Sequence, residues 1–163
     1  MKRRPRKMSK KILVAIDDSE NALRAVEFVS NSFSTDNKIT LFNVMQDTAT
    51  LCEMNSPELT PYFTSQQSAF CLLEDKKKEL VGHALIKAKT MLLDAGFEEG
   101  NITTKAAFKN KGIARDIIQE AQDGYNVIVM GKRGVSGIKD FLLGSISQKV
   151  FNLAKDISVL FVN

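Results

Sequence analysis

The chain has no tryptophan, a single histidine, two cysteines and three prolines among its 163 residues. With His83 alone, neither a Cys–His nucleophile nor a histidine-based metal cluster has its parts. Cys52 and Cys71 lack Cys-x-x-Cys spacing, which argues against zinc, and the expectation is two free thiols in a reducing cytosol. No apolar run approaches the roughly 20 residues that span a bilayer, so no membrane association is expected. The basic start is followed only by the short run Ile12–Ile16, which Asp17 and Asp18 stop. A secretory core needs roughly 7–15 apolar residues, so no export is expected and the location expected is cytoplasmic.

Acid is missing from the first eleven residues, which hold seven of the 23 Lys and Arg. The formal charge of +4 therefore belongs to this arm, and the rest carries 16 bases against 19 acids. Residues 1–10 are expected to be a solvated, disordered arm, and residues 11–163 a single domain. The body gives no electrostatic reason to expect nucleic acid as a partner.

Strand and helix signals alternate along that body. Lys11–Ile16 (KILVAI) is a continuous apolar run, as in a strand covered on both faces. Asp17, Asp18 and Ser19 are helix-capping types, and Ala22, Val26, Val29 and Phe33 follow at helical spacing. Lys38–Met45 predicts a second strand. Periodicity then lapses from Gln46 to about Gln66, which predicts a long loop. A helix is expected from about Gln67 to Ala95, with Phe70, Leu73, Leu80, Ala84, Ala88 and Met91 as its buried stripe, stopped by Gly96. Ile102–Phe108 predicts the third strand. Ile113, Ile117, Ile118 and Ala121 mark a helix ended by Gly124, and Tyr125–Met130 predicts the fourth strand. A last helix from about Ser145 leads to a fifth strand, Ile157–Val162. This alternation implies an α/β fold, an open, doubly wound parallel sheet of five strands with helices on both faces.

Such sheets bind ligands beyond the carboxyl ends of their strands. The fourth strand is followed by Gly131-Lys132-Arg133-Gly134, then nine residues, then Gly144-Ser145 at the start of the last helix. Glycines let a backbone approach a phosphate without a Cβ in the way. A helix N-terminus adds unpaired N–H groups and partial positive charge, here at Gly144, Ser145 and Ile146. The Ser145 and Ser147 hydroxyls are candidate donors or metal contacts. Gly131 and Gly144 are both expected to lie outside the buried strands. Lys132, Arg133 and Lys139 add positive charge to the loop.

The pattern Gly-x2-Gly-x9-Gly-Ser, met by Gly131, Gly134, Gly144 and Ser145, resembles that of the ATP-binding branch of the universal stress protein family. KILVAIDDSE (Lys11–Glu20) and NVIVMGKRGVSGIKDFLLGSISQKV (Asn126–Val150) extend the resemblance; it is faint from Gln46 to about Phe97. The resemblance implies strand order 3-2-1-4-5, as in adenine nucleotide alpha hydrolase-like folds, with ATP and Mg2+ at the switch point. By the same resemblance Asp17 faces the ribose hydroxyls and the backbone at Val44 meets the adenine edge. Asp18 stands where the family commonly has glycine. The implied role is nucleotide-responsive signalling in stress tolerance by a homodimer paired through the fifth strand. The alternatives are a slow ATP hydrolase or phosphotransferase, or a dimerisation module without nucleotide. The chain has no Walker-type Gly-x4-Gly-Lys-Ser/Thr loop, and no histidine partner for Ser145 is evident, so no catalytic residue is assigned.

Overall fold

The computed structural model describes residues 9–54, 60–133 and 143–163. Most of the basic arm, Gly134 and Lys139 therefore lie outside the described residues. Five strands, β1 (Lys11–Ala15), β2 (Lys38–Met45), β3 (Ile102–Phe108), β4 (Val127–Gly131) and β5 (Ser158–Val162), form one sheet in the order β3-β2-β1-β4-β5. Every pairing is parallel, with Ile12 beside both Ile39 and Val127. Helices α1 (Glu20–Ser32), α2 (Ala49–Cys52), α3 (Pro61–Asp94), α4 (Ile113–Ala121) and α5 (Ser145–Leu153) surround it. The expected fold class and strand order are those observed.

Successive side chains of a strand point to opposite faces, and β1 divides its apolar run between two cores accordingly. Ile12 and Val14 pack with Ala25, Val26 and Val29 of α1 and Ala88 and Leu92 of α3. Leu13 packs on the other face with Ile117 of α4 and Val150 of α5. Both faces are covered, which is why β1 and β4 read as unbroken apolar runs.

The segment after β2 departs from the expected loop. Its first part forms α2, and α3 starts at Pro61, six residues before the expected point. Thr60 caps α3 by accepting from the Phe63 N–H at 3.3 Å, and Pro61 sits in the first turn, where its missing N–H costs nothing. The expected stripe of α3 holds only in part. Ala84 and Ala88 are buried with Val81 and Leu92, whereas Phe70, Leu73 and Leu80 are exposed. At about 1.5 Å per residue, 34 residues extend about 51 Å, and the helix carries buried residues only from Val81 onward.

The cysteines are not free thiols. Cys52, at the end of α2, is bonded to Cys71 in α3 across a Cα–Cα distance of 5.8 Å. The cause is the unanticipated helix. By folding α2 back along α3, the chain brings together two residues 19 positions apart.

Candidate nucleotide cleft

A cleft of about 260 Å³ opens beyond the carboxyl ends of β1, β2 and β4. The sheet order changes direction between β1 and β4, where each chain leaves for a different face and a crevice remains. Of the residues singled out in the sequence, Asp17, Asp18, Val44, Gly131, Arg133, Ser145, Ile146 and Ser147 line it. Gly144 stands just behind as the N-cap of α5, and Lys132 is not among the lining residues.

Strand geometry orients Val44. In a parallel sheet the N–H and C=O of one residue point to the same side, and the side alternates along the strand. The Phe42 carbonyl accepts from Ile16 N–H at 2.8 Å, and the Met45 carbonyl accepts from Lys109 N–H at 2.6 Å. Val44 therefore turns its N–H and C=O to the side that β1 has left after Ile16. That side is the cleft.

Asp17 serves the cap of α1. Its Oδ1 accepts from the Ser19 N–H at 3.0 Å and from the Ser19 hydroxyl, while Ser19 Oγ accepts from Ala22 N–H at 3.2 Å. Asp18 and Asn43 also line the cleft, and each has a buried Oδ1 with no hydrogen-bond partner among the described residues. The Asn43 amide is oriented by its other end, where Nδ2 donates to the Ile16 carbonyl at 2.7 Å.

Gly131 is not outside the buried strands. It is the last residue of β4, it is buried, and a Cβ on it would lie 2.8 Å from the backbone carbon of Asn21. Its lack of a side chain admits the first turn of α1 to the end of the sheet. Ser147 has a similar local duty. It is 2% exposed, and its hydroxyl donates to the Gly131 carbonyl at 3.0 Å. Lys132 fixes the same corner with its backbone, donating to the Val162 carbonyl at 2.7 Å and accepting from Gly144 N–H at 2.9 Å. These bonds hold the start of α5 at the end of β4.

The result is a helix end aimed at a cleft. Gly144 supplies no side-chain cap, and the helix ladder begins with Gln148 N–H donating to the Gly144 carbonyl at 2.8 Å. The N–H groups of Ser145, Ile146 and Ser147 thus have no partner in the helix ladder, and the helix dipole places partial positive charge there.

The opposite wall was not foreseen. Glu74, Lys77, Lys78 and Val81 of α3 face the cleft, with Ile113 and Ile117 of α4 lining its apolar floor. The spacing of Glu74, Lys77 and Lys78 puts them on one helical face, which was a readable signal. Among the described residues, no group of three or more His, Cys, Asp or Glu side chains is placed to hold a metal ion. No helix among them is long and apolar enough to cross a membrane.

The model of the universal stress protein family matches residues 8–163. The chain belongs to this family. A curated relative, universal stress protein YxiE of Bacillus subtilis (strain 168), is 37% identical over 57 residues, which make up 34% of this chain. That match spans only 38% of the relative's length. The solved structure of hypothetical protein MJ0577 is similar over 95% of this chain and 96% of its own, at 26% identity and a TM-score of 0.67. A universal stress protein solved in complex with cAMP matches over 95% of this chain and 97% of its own, with a TM-score of 0.61. At 18% identity, that second likeness establishes the universal stress protein fold alone.

Proposed function

We propose that this universal stress protein binds ATP with Mg2+ in the cleft and acts in the cytoplasm as a nucleotide-responsive signalling homodimer. The observation that carries the reading is the convergence of three unlike groups on one crevice. They are the open backbone edge at Val44, the carboxylate of Asp17, and the uncapped start of α5. A backbone N–H and C=O side by side match an adenine edge, and a carboxylate accepts from ribose hydroxyls. The N–H groups of Ser145, Ile146 and Ser147 suit phosphate oxygens, the glycines Gly131, Gly134 and Gly144 would leave room for phosphate to approach, and Arg133 at the cleft, with Lys132 beside it in sequence, would add positive charge. A relative of the same fold has been solved with cAMP, which makes adenine nucleotides the class to test first.

Mg2+ fits as a partner of the nucleotide rather than of a protein cage. It keeps several waters and usually takes one or two protein oxygens besides phosphate, and this cleft offers scattered oxygen donors such as Asp18 and the Ser145 hydroxyl. When bound, the ion would neutralise triphosphate charge.

The homodimer rests on β5. It is an edge strand whose residues Val159, Leu160, Phe161 and Val162 are only partly covered, and an apolar edge favours pairing with a second copy. Light scattering should give a mass near twice 18.1 kDa. A monomer at micromolar concentration would remove this part of the reading.

The nucleotide is tested on the purified full chain. Ligand released by denaturation should be an adenine nucleotide. Mg-ATP at about 100 times its dissociation constant should stabilise the fold by about 2.7 kcal/mol, a melting shift of roughly 5–11 °C. An unchanged melting curve in millimolar Mg-ATP would refute the assignment.

A further inference from the structure

We propose that Cys52 and Cys71 form a reversible thiol–disulfide site, reduced by a dithiol reductant, whose state decides whether α2 is fastened to α3, the helix that walls the cleft. The coupling to the cleft rests on the nucleotide reading above, and the reversibility on the cytoplasmic location proposed with it. These are the only two cysteines of the chain, and both are partly exposed, within reach of a small reductant.

The bond joins α3, which forms the outer wall, to α2, which follows the cleft-lining end of β2. On one side, β2 contributes Val44 and Met45 to the cleft, Gln46 follows them, and the chain then enters α2. On the other side, Cys71 precedes Glu74, Lys77 and Lys78 by about one and two turns of α3, and all three face the cleft.

Little else ties α2 down. It has a single turn and no buried residue of its own. Among the described residues, the hydrogen bonds that tie it and its flanks to α3 lie at the surface or its margin. Gln67 Nε2 donates to the Leu51 carbonyl and, at 3.0 Å, to that of Met54, while Lys78 Nζ meets Thr48 Oγ1 at 3.4 Å. A one-turn helix is not stable in isolation, so the covalent link is what keeps α2 in place. In a cytosolic protein a disulfide is ordinarily transient and regulatory, which suits a latch better than a permanent brace.

The chemistry balances with one co-reactant. A thiolate of the dithiol attacks one sulfur of the bond, giving a mixed disulfide and freeing the other cysteine as a thiolate. The second thiol of the reductant then displaces the first cysteine. Two electrons pass to the protein, two protons end on Cys52 and Cys71, and the reductant leaves as a disulfide.

Hydrogen exchange on the full chain reads the latch directly, compared in air-oxidised protein, after dithiothreitol, and after reoxidation. The amides of Cys52 and Glu53, which donate to the Thr48 and Ala49 carbonyls, should exchange about tenfold faster or more once reduced, and recover on reoxidation. Cys52→Ser should exchange at the fast rate whatever the redox state. Two titratable thiols in the air-oxidised protein, or equal exchange in all states, would overturn the proposal. Mg-ATP affinity should fall about three- to tenfold on reduction, because a loosened wall is no longer pre-organised. Faster exchange with unchanged affinity overturns the coupling to the cleft. Absence of Mg-ATP binding in either state refutes the nucleotide reading and leaves the exchange result to decide the latch.

Discussion

The cleft has two walls made in different ways. The wall formed by β1, β4 and the start of α5 is part of the core. Val14, Val129 and Val150 are fully buried, Gly131 is pressed against Asn21, and Ser147 is bonded to the Gly131 carbonyl. The wall formed by the middle of α3, to which α2 is fastened, has few ties to the core. Val81 is buried, but Leu72 and Leu73 are 72% and 69% exposed, and α2 has no buried residue. The first wall inherits its geometry from folding, since moving it means unpacking the sheet. The second is added at the surface, held by one disulfide and a few polar contacts, and it can change without unfolding the domain. On the proposed nucleotide reading, this arrangement would keep the phosphate end constant while the outer edge responds to redox conditions.

The comparison is tested along α3 itself. Leu92, at its anchored end, is fully buried between α1 and the sheet. Leu92→Ala should cost about 2–5 kcal/mol, as buried leucine truncations do when the cavity cannot collapse. Denaturant unfolding measures it, and a loss below about 1 kcal/mol would mean that this end is not anchored. A smaller effect is expected at the corner of the rigid wall. Gly131→Ala places a Cβ 2.8 Å from both the backbone carbon and the Cβ of Asn21. Because backbone is involved, α1 has to move, at a cost of roughly 1–3 kcal/mol. The melting point should drop without any ligand present, by roughly 2–12 °C. An unchanged melting point would show that the glycine is there for a ligand alone. For that reason, nucleotide affinity measured in a Gly131 variant cannot be read as a loop effect by itself.

The parallel sheet was legible because β1 and β4 read as unbroken apolar runs, as strands covered on both faces do, while its order came from the resemblance to the universal stress protein family. The ends of β3 matched the sequence reading at Ile102 and Phe108. The crossover between β2 and β3 was not legible. The lapse of periodicity from Gln46 to about Gln66 read as loop, yet Pro61 starts a helix, and Thr60 before it was an available cap signal. Phe70, Leu73 and Leu80 recur at the same spacing as Ala84 and Ala88, so periodicity could not tell a covered face from an open one. What decides it is how far the helix runs past the sheet, a tertiary fact. The disulfide was hidden for the same reason, since it depends on a helix that the sequence reading took for loop. At the candidate site, position was legible and local duty was not. Asp17, Gly131 and Ser147 do meet at the cleft, but each also serves packing or capping there, through Ser19, Asn21 and the Gly131 carbonyl.

The smallest expected effect lies on the open half of α3. Leu73 would be a core residue by its spacing from Phe70 and Leu80, yet it is 69% exposed. Leu73→Gln keeps helix propensity nearly constant, so any loss of stability must come from burial. With so much of the side chain already in water, the expected change is within about 0.5 kcal/mol, the range of ordinary surface substitutions. Unfolding should therefore be nearly superimposable on that of the parent chain, in clear contrast to Leu92→Ala on the same helix. A loss of 2 kcal/mol or more, the range of a buried leucine, would mean that the open half is covered in solution, by a second copy or a rearranged α2. Repeating the measurement at a tenfold lower protein concentration separates those two causes. A cost that shrinks on dilution belongs to association, and one that persists belongs to the chain's own packing.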